Sequence, residues 1–559
     1  MDKQTMENYE IWAMHDLIDG LNEDLQNAGG SEEELNDRFY RELEFGTAGL
    51  RGVLGAGTNR MNVYTVARAT KGFAGYLCSI SAKPSMAIAY DSRIKSDVFA
   101  RLTAKVMAEN GVKVYLWPEL MPTPALSFAV RFYGCDGGVV ITASHNPSQY
   151  NGYKAYDSTG CQLGEEAAAD VFDRILAEPV FEAAETEYTF EQGIRDGMIE
   201  YIPESTFEAF VKECSRWSML DDTFDRSVSI AYTPLYGTGL KCVTRCLKDN
   251  GFSNIALVEE QARPDGNFPT CPYPNPEIRE AMEVGLAYAE EKGADLLIAT
   301  DPDADRVGIA AKKGGSYELL TGNQTGMLLL DYMCRRRLET GRMPENPIAV
   351  KTIVTTDMIY NIAAEYGVEV MDVLTGFKNI APIVTDLVEK GEGDRYILGF
   401  EESYGYMLGE HVRDKDSVSA CLMIAEMFVY HRSHGKSLFD VLDEIYKKYG
   451  YYINTTHSYA FPGESGFARM QEIMEYYRSN APEAFGPLSV LETQDYKDGF
   501  NGLKANVIKY VLDGRSMAVL RPSGTEPKLK LYLGIAAPSI AQAEEIEKII
   551  CAECEKNLK

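Results

Sequence analysis

The chain has 559 residues, which is too many for one hydrophobic core, so we expect several domains. Its composition, 45% hydrophobic and 25% charged, is ordinary for a soluble globular protein, and no segment approaches the ~18 apolar residues of a membrane span. The formal net charge of −29 argues against nucleic acid and anionic membranes as partners, so an anionic substrate would need a local basic pocket. No apolar signal core follows Met1, which predicts a cytoplasmic protein.

Several short apolar runs each end in a loop rich in Gly, Ser, Thr or Asp, and they alternate with helical stretches. This pattern is typical of α/β units with buried sheets, in which the loops that leave the strand ends carry the chemistry. The clearest runs are 86–90, 139–141, 230–232, 296–298 and 396–398.

One such unit can be followed in detail. Apolar residues recur every three or four positions from Ile278 to Ala289, which predicts an amphipathic helix, and Gly293 follows in the position of a C-terminal cap. Leu296–Ile298 then predicts a strand, so Asp301 begins a loop at a stiff strand end.

Two stretches are interpreted as connections between elements. Residues 177–193 are acidic without a sustained period, and residues 264–276 contain five prolines, which fix φ and remove backbone donors. We divide the chain into four domains with boundaries near 1–205, 206–318, 319–445 and 446–559.

The first motif with chemical content is Thr142-Ala-Ser144-His145-Asn-Pro147, followed by Asn151-Gly-Tyr-Lys154. A serine on a turn after a buried strand is placed for attack, and His145 and Lys154 are candidate helpers for this weak nucleophile. Ser and Asn near a proline also start helices, so a helix cap is the alternative interpretation.

The second motif is Asp301-Pro-Asp303-Ala-Asp305-Arg306, whose alternate carboxylates can converge on one hard cation such as Mg²⁺. An EF-hand is excluded, because Arg306 and Lys312 stand where that loop needs Gly and Glu. A phosphatase with Asp301 or Asp303 as nucleophile stays open, whereas a solvated acidic turn is disfavoured by repulsion among the carboxylates.

Two later motifs suit a phosphorylated sugar. Gly399–Gly405 carries Glu401 and Ser403, which suit hydrogen bonds to vicinal hydroxyls, although an ordinary polar turn has the same composition. Arg521-Pro-Ser-Gly-Thr-Glu-Pro-Lys528 combines an arginine, hydroxyls and a glycine, as phosphate-binding loops do. The alternation from Lys528 to Leu531 predicts a strand with both lysines on one face.

The basic residues Arg51, Lys378 and Lys415 could complete the positive pocket that the net charge demands. Cys551 and Cys554 form the chain's CxxC pair, in a polar stretch of helical character with no histidine nearby in sequence. We interpret this pair as part of a surface helix rather than a zinc or redox site, and we expect the cysteines to be reduced.

Together and in this order, the four motifs resemble those of the α-D-phosphohexomutase superfamily, over essentially the whole chain. Residues 45–52, 142–154 and 321–324 are similar to the branch that includes bacterial phosphoglucomutases and animal phosphopentomutase-like proteins. The resemblance implies an α/β fold in four domains around a central cleft, three related α/β domains and a smaller C-terminal α+β domain. These would carry, in order, the phosphoserine, metal-binding, sugar-binding and phosphate-binding loops.

The resemblance also implies a role for individual residues. Ser144 would be the phosphoserine, and its phosphate would hold Mg²⁺ together with Asp301, Asp303 and Asp305. Lys154 and Arg51 would transfer protons or stabilise charge beside Ser144, and His145 is a further catalytic candidate. Substrate contacts are assigned to Arg306, Thr375, Gly376, Lys378, Glu401, Ser403, Lys415, Arg521, Ser523, Gly524, Thr525 and Lys530.

The implied activity is a phosphoglucomutase that interconverts glucose 1-phosphate and glucose 6-phosphate, with glucose 1,6-bisphosphate as intermediate and activator. Mannose or pentose phosphates are alternative substrates within the family. A metal-dependent phosphatase and a catalytically silent sugar-phosphate sensor are alternatives of other classes. The expected partners are small phosphosugars, without nucleic acid or membrane, and the expected assembly is a monomer or homodimer.

Overall fold

The computed structural model of the chain describes residues 1–47, 49–461, 464–522 and 528–558. The chain divides into two compact units. Unit 1 comprises Met1–Leu320, Ala381–Gly393 and Tyr404–Val429, and unit 2 comprises Thr321–Ile380, Asp394–Ser403 and Tyr430–Lys559. Within the described ranges, no helix has the length and apolar character needed to cross a bilayer.

Unit 1 begins with short helices that precede a six-stranded mixed sheet in the order β1-β5-β4-β2-β3-β6. Strands β3, β2 and β4 are parallel neighbours, whereas β5 runs antiparallel to β4 and β1. The elements are α1 (Lys3–Met14), α2 (Leu21–Ala28), α3 (Glu32–Phe39), β1 (Leu50–Val53), α4 (Val63–Ile80), β2 (Ser85–Tyr90), α5 (Ser96–Glu109), β3 (Lys113–Leu116), α6 (Thr123–Tyr133), β4 (Gly137–Ile141), β5 (Tyr150–Asp157), α7 (Glu165–Ala177), α8 (Phe190–Arg195), β6 (Ile199–Tyr201) and α9 (Glu204–Ser215).

The second sheet of unit 1 has five strands in the order β11-β10-β9-β7-β8. Its central strands β7 and β9 are parallel, and β9 returns through β10 as an antiparallel hairpin, so the loop between β9 and β10 lies at a strand end. The elements are β7 (Ile230–Thr233), α10 (Gly239–Asp249), β8 (Ile255–Leu257), α11 (Glu259–Ala262), α12 (Arg279–Lys292), β9 (Leu296–Thr300), β10 (Val307–Lys313) and β11 (Ser316–Leu320).

The third group of strands is centred on β12, which pairs in parallel with β13 and β14. Its strands are buried except for β13, as expected of a parallel sheet covered by helices. The elements of this part of the chain are α13 (Gly322–Glu339), β12 (Ile348–Thr352), α14 (Ile359–Tyr366), β13 (Glu369–Val373), α15 (Phe377–Glu389), β14 (Tyr396–Phe400), β15 (Tyr406–Met407), α16 (Ser417–Ser433) and α17 (Leu438–Tyr449).

The last part of unit 2 is an antiparallel six-stranded sheet in the order β16-β21-β20-β19-β18-β17. Strand β16 lies at its edge, and the C-terminal helix packs on β16 and β21 around a core that includes Leu531, Ile535 and Ile550. The elements are β16 (Tyr451–Ala460), α18 (Glu464–Ser479), β17 (Ala484–Phe485), β18 (Leu488–Asp495), β19 (Ile508–Leu512), β20 (Met517–Pro522), β21 (Lys528–Ala537) and α19 (Ile540–Leu558).

The strands predicted from the short apolar runs are confirmed as β2, β4, β7, β9 and β14. The helix and strand predicted before the acidic loop are confirmed as well. Helix α12 ends at Lys292, Gly293 caps it in the left-handed region at φ 64°, and β9 leads to Asp301. Leu529 and Leu531 are buried in β21 while the alternating lysines are half-buried, as the period of two predicted.

Two local interpretations are wrong. The connection predicted for 177–193 ends before Phe190, because Thr189 and Gln192 form a capping box that starts α8. Ser144 does not cap a helix, since the chain passes from β4 through a turn into β5. The four domain boundaries stay a prediction.

Two glycines of α4 provide a matched test of helix packing. A methyl group at Gly72 would lie 2.6 Å from Ile175 Cγ1 and 2.9 Å from the Ile175 backbone nitrogen, whereas at Gly75 the nearest atom would be Arg174 Nη1 at 3.6 Å. Gly72→Ala should destabilise the protein by about 1–3 kcal/mol through overpacking against α7. Gly75→Ala should be neutral or stabilising by up to about 1 kcal/mol, because alanine favours helix.

Differential scanning calorimetry of the two variants and the parent checks this. A Gly72→Ala protein that unfolds at or above the temperature of Gly75→Ala would contradict the packing of α4 on α7.

Candidate active site

Ser144 lies in the turn between β4 and β5 with its backbone in the left-handed region, at φ 54°. This conformation is uncommon for a residue with a side chain and is found preferentially at functional sites. The backbone N–H of Ser144 donates to Thr142 Oγ1 at 2.7 Å, and the residue is only 3% exposed. Gly152 of β5 lets the backbone at Thr142 lie close to β5, because a Cβ on residue 152 would lie 2.4 Å from the carbonyl oxygen of Thr142.

Arg93 holds the backbone of this turn. Its guanidinium donates to the carbonyl oxygens of Ser144 at 2.5 Å, Pro147 at 2.8 Å and Tyr150 at 2.9 Å, and it also contacts the carbonyl of Asn146. Burial lowers the pKa of Arg93 to about 10, so the guanidinium stays charged near neutral pH. A planar group with five N–H donors in fixed directions can hold four carbonyls at once, which is more than the three donors of a lysine can reach.

The acidic loop between β9 and β10 wraps around the Asp301 carboxylate. Asp301 Oδ1 accepts backbone N–H groups from Asp305 at 3.1 Å and Arg306 at 3.0 Å, while Ala304 turns the chain at φ 48°. Asp301 Oδ2 accepts a hydrogen bond from Ser144 Oγ at 3.0 Å. The predicted nucleophile and the predicted metal loop are therefore in direct contact within unit 1.

Lysines from two other segments neutralise the acidic loop. Lys154 Nζ lies 2.6 Å from Asp303 Oδ2 and 3.2 Å from Asp305 Oδ2, and Lys415 Nζ lies 3.4 Å from the same Asp305 oxygen. Thr123 Oγ1 donates to Asp303 Oδ2 at 2.9 Å. Lys154 and Lys415, predicted from separate motifs, thus meet at one acidic loop.

Burial and neighbouring charges separate the pKa values of these groups. Burial, followed by the charges of Asp303 and Asp305, raises the pKa of Asp301 well above its usual range. Burial acts in the same direction on Asp305, but the ammonium groups of Lys415 and Lys154 outweigh it and lower the Asp305 pKa. Burial by itself would lower the Lys154 pKa, yet the two carboxylates raise it, so Lys154 is an ammonium.

His145 and Arg51 flank Ser144 on the remaining sides. His145 Nδ1 lies 3.2 Å from Ser144 Oγ, and burial, together with the charges of Arg306 and Arg51, lowers the His145 pKa well below 6.5. The imidazole is therefore neutral near pH 7. Arg51 Nη1 donates to Asn146 Oδ1 at 3.4 Å, and Arg306 pairs with Glu277.

The acidic loop has the donor set of a site for a hard cation. The carboxylates of Asp301, Asp303 and Asp305 each present an oxygen within 4.8 Å of the others, and all three are buried. Asp303 Oδ1 and Asp305 Oδ1 are buried without a hydrogen-bond partner. A buried carboxylate oxygen without a donor is costly, and a metal ion would satisfy both atoms, so these residues can hold a metal ion.

Unit 2 contains the second set of predicted residues. The backbone N–H of Gly376 donates to Glu401 Oε1 at 2.8 Å, which joins the loops that follow β13 and β14. Thr375 Oγ1 is buried without a hydrogen-bond partner, Lys378 lies in the first turn of α15, and Ser403 is half-buried.

The predicted phosphate-binding residues lie on adjacent strands of the last sheet. Arg521 of β20 stands opposite Lys530 of β21, and Arg521 Nη1 donates to the Tyr532 hydroxyl at 3.3 Å. Ser523, Gly524 and Thr525, predicted to complete this site, lie outside the described residues.

Three residues that support the site were not predicted from the sequence. Arg93 lies in the loop that follows β2, and Thr123 begins α6. Asp414 is fully buried, accepts from the Tyr156 hydroxyl at 2.8 Å and lies 3.2 Å from Lys415 Nζ. Asp414 stands directly before Lys415 in the sequence, and that adjacency was the available signal.

Family models of known proteins match most of the chain. The models for phosphoglucomutase/phosphomannomutase α/β/α domains I, II and III match residues 42–180, 208–315 and 321–449. The chain therefore belongs to the phosphoglucomutase/phosphomannomutase family. This confirms the predicted membership, the isomerase class and the architecture of three α/β domains followed by a strand-rich C-terminal domain.

Individual relatives agree with this assignment. The chain is 34% identical over 522 residues to a phosphoglucomutase of Staphylococcus haemolyticus, covering 91% of this chain and 93% of the relative. It is 35% identical over 534 residues to a phosphoglucomutase of Staphylococcus aureus, covering 93% and 94%. The open form of the Paramecium phosphoglucomutase pp63/parafusin has the same fold, with a TM-score of 0.69, 17% identity and coverage of 93% and 94%.

The contacts of Arg93 generate a prediction about positioning. Arg93→Lys retains the charge but replaces four carbonyl contacts with those of a single ammonium. The turn that carries Ser144 should loosen, and kcat for isomerisation should fall on the order of 100-fold, the cost of misplacing a reacting group by about 1 Å. Steady-state kinetics check this. The control is Arg101→Lys, because Arg101 forms an exposed ion pair with Glu191. An unchanged kcat in Arg93→Lys would contradict the assigned role.

Proposed function

We propose that this chain is a phosphoglucomutase that interconverts α-D-glucose 1-phosphate and glucose 6-phosphate through phosphorylated Ser144. The observation that carries the proposal is the 3.0 Å contact between Ser144 Oγ and Asp301, in a buried loop where Asp303 Oδ1 and Asp305 Oδ1 have no hydrogen-bond partner. Relatives of similar length that are named phosphoglucomutase support the choice of reaction.

Ser144, Asp301, Asp303 and Asp305 would hold Mg²⁺, which suits an all-oxygen donor set. When bound, Mg²⁺ would neutralise negative charge on the oxygens of the transferring phosphoryl group. The turn is ordered before substrate binds, because Arg93 holds the backbone carbonyls of Ser144 and of the residues that follow it. A pre-positioned group of this kind lowers the entropic cost of reaching the transition state.

In the first half-reaction, the bond between Ser144 Oγ and phosphorus breaks while a sugar hydroxyl oxygen forms a new bond to phosphorus. The product is glucose 1,6-bisphosphate, and the sugar hydroxyl proton is lost as the serine oxygen regains one. The bisphosphate then changes its orientation relative to Ser144, and the second half-reaction reverses these events at the other phosphate. Glucose 1,6-bisphosphate would therefore also act as an activator, because it can phosphorylate an unmodified Ser144.

Charge near Ser144 suits this transfer. Lys154 is an ammonium held by Asp303 and Asp305, so it can stabilise phosphoryl oxygens or supply the proton that the serine oxygen takes up. His145 is neutral and 3.2 Å from Ser144 Oγ, so it can accept a proton there. Arg51, bonded to Asn146 of the same turn, would add positive charge.

Unit 2 would bind the rest of the substrate. Glu401, oriented by the Gly376 N–H, would accept hydrogen bonds from sugar hydroxyls, and Ser403 would add a further contact. Arg521 and Lys530 stand opposite each other on β20 and β21 and would bind the phosphate that is not transferred, together with Ser523, Gly524 and Thr525. Thr375, Lys378, Lys415 and Arg306 would complete the substrate contacts.

This proposal also includes four domains with boundaries near 205, 318 and 445, a cytoplasmic location and a monomeric or homodimeric state.

The phosphoserine is tested by mass spectrometry and by substitution. Fragments covering 142–154 of protein purified from cells should carry phosphate on Ser144, and Ser144→Ala should lose nearly all isomerase activity while staying folded. Ser148→Ala is the matched control, because Ser148 lies in the same turn and should leave turnover unchanged. Turnover of Ser144→Ala near that of the parent would refute the phosphoserine mechanism.

The same assay separates a mutase from a phosphatase. With glucose 1-phosphate, Mg²⁺ and a trace of glucose 1,6-bisphosphate, total sugar phosphate should stay constant as the isomers equilibrate. Stoichiometric release of inorganic phosphate would instead support Asp301 as a phosphatase nucleophile.

The preferred sugar is tested by comparing kcat/KM for glucose, mannose and ribose 1-phosphates. Glucose 1-phosphate should be the best substrate, with measurable activity on mannose 1-phosphate, because Glu401 at the 3- and 4-hydroxyls would not discriminate position 2. A tenfold preference for ribose 1-phosphate, about 1.4 kcal/mol in transition-state binding, would overturn the glucose assignment and leave the mutase mechanism standing.

A further inference from the structure

A second cluster of potential metal ligands lies in the last domain, between the edge strand β16 and the C-terminal helix α19. His457 of β16 and Glu547 and Cys551 of α19 present ligand atoms within 4.8 Å of one another. Glu547 and Cys551 are four residues apart and share a face of the helix. His457 shares a strand face with Ile453 and Tyr459, which pack against the core of this domain.

The contacts of the cluster converge on one atom, His457 Nε2. Glu547 Oε1 lies 3.1 Å from it, Cys551 Sγ 3.3 Å and Thr455 Oγ1 3.2 Å. A catalytic Cys-His-acid relay would place the thiol and the carboxylate on opposite ring nitrogens, so this arrangement is not such a relay.

Hydrogen bonding alone cannot satisfy this convergence. If Nε2 carries a proton, it donates to Glu547, and the Cys551 thiol then has no lone pair on that nitrogen to receive its own proton. If Nε2 is unprotonated, the thiol can donate to it, but the Glu547 carboxylate then faces a lone pair. A cation removes the conflict when Nε2 is unprotonated and Cys551 has lost its thiol proton, because Nε2, Sγ and the Glu547 carboxylate can then all direct lone pairs at the metal.

Two of the three separations between the ligand atoms are close to those of a tetrahedral zinc site, and the third, between Glu547 and Cys551, is within 4.8 Å. Zn–S near 2.3 Å and Zn–N or Zn–O near 2.0–2.1 Å place neighbouring ligand atoms about 3.4–3.6 Å apart. The observed separations of 3.1 and 3.3 Å need to widen by only a few tenths of an ångström. The fourth position would fall to water or to the Thr455 hydroxyl.

The cluster is also accessible from solvent. The His457 side chain is 32% exposed and that of Glu547 is 18% exposed, so a metal ion can enter without unfolding of the domain. Imidazole, thiolate and carboxylate together favour Zn²⁺ or a similar transition metal over Mg²⁺, which prefers oxygen ligands.

A second His–Cys–carboxylate cluster, formed by Cys214, His411 and Asp416, provides a comparison in which the ligand groups are satisfied by hydrogen bonds. His411 Nδ1 accepts from Trp217 Nε1 at 3.0 Å, which leaves Nε2–H to donate to Asp416 Oδ2 at 2.9 Å. Asp416 also accepts the backbone N–H of Val418 at 2.8 Å. Cys214 Sγ lies 3.7 Å from His411 Nε2 and equally far from Asp416 Oδ2, to which the thiol can donate. The carboxylate therefore accepts both protons in this cluster, whereas among the residues that the structure describes no second acceptor is within hydrogen-bond distance of the Cys551 thiol beside His457.

We propose that His457, Glu547 and Cys551 form a zinc site that fastens α19 to the edge strand β16. Edge strands expose unpaired backbone groups and are commonly protected by an additional element. A metal that joins the helix to this edge would stabilise the domain in the folded state, because the ligands come from segments about 90 residues apart in sequence.

The test uses the full-length chain, reduced and stripped of metal, in excess Mg²⁺ so that the Asp301 loop is occupied. Zn²⁺ is titrated against a chromogenic chelator. The parent should bind one Zn²⁺, and Cys551→Ser and His457→Ala should each bind it at least ~10-fold more weakly. Glu547→Gln should weaken binding as well, and because this substitution removes the charge of the ligand with almost no change in side-chain size, it tests the site with little effect on folding.

Two cysteine controls separate this site from other thiol sites. Cys78→Ser alters an exposed cysteine elsewhere, and Cys554→Ala removes the second cysteine of the CxxC pair; both should bind Zn²⁺ like the parent. Co²⁺ should give a thiolate-to-metal charge-transfer band in the parent and in Cys554→Ala, but not in Cys551→Ser. Zn²⁺ should raise the unfolding temperature of the parent and not that of Cys551→Ser.

Unchanged Zn²⁺ binding in Cys551→Ser would overturn the proposal. So would equal loss in Cys551→Ser and Cys554→Ala, because the CxxC pair would then be the ligand set. Zn²⁺ binding by the parent that disappears in Asp303→Asn would likewise overturn it, because the metal would then occupy the acidic loop.

Discussion

The structure around Ser144 depends on the burial of three neighbouring carboxylates in the Asp301–Asp305 loop. Removing an ionised carboxylate from water costs several kcal/mol unless charge and hydrogen bonds replace the lost solvation. Backbone N–H groups donate to Asp301, whereas Lys154 forms an ion pair with Asp303 and Lys415 forms one with Asp305. The segments that carry these lysines must therefore pack against the loop, which brings the Ser144 turn into contact with it.

Compensation at the acidic loop is incomplete, and this has a functional consequence. Asp303 Oδ1 and Asp305 Oδ1 are buried without hydrogen-bond donors, so the folded protein retains a place for one more positive charge. Ser144 adds a second cost through its left-handed backbone, which Arg93 and Thr142 maintain. Unsatisfied atoms and strain of this kind persist at functional sites because the surrounding structure fixes them.

Local patterns in the sequence predicted the strands β2, β4, β7, β9, β14 and β21 and the acidic loop, because an apolar run that ends at Gly, Ser or Asp is a local signal. The contacts of Arg93 could not be predicted in this way, since its partners are backbone carbonyls more than 50 residues away, which leave no mark on side-chain periodicity. The start of α8 was missed although its capping box is local. His457 and Cys551 lie on different elements, so only the fold brings them together.

The net charge of −29 repels an anionic phosphosugar, so a phosphosugar enzyme of this composition needs positive charge at the binding site itself. Lys154 and Lys415 are largely committed to the acidic loop, so they cannot by themselves bind a distant phosphate. Arg521 and Lys530 face each other across β20 and β21, and like charges in this register destabilise a sheet unless something lies between them. Under the proposed function a phosphate dianion would remove that repulsion, just as a cation would satisfy the carboxylates of the acidic loop. The acidic loop leaves two carboxylate oxygens without donors in the free protein, and Arg521 and Lys530 concentrate positive charge on one face of the last sheet. Binding energy would therefore arise locally despite the unfavourable charge of the whole chain.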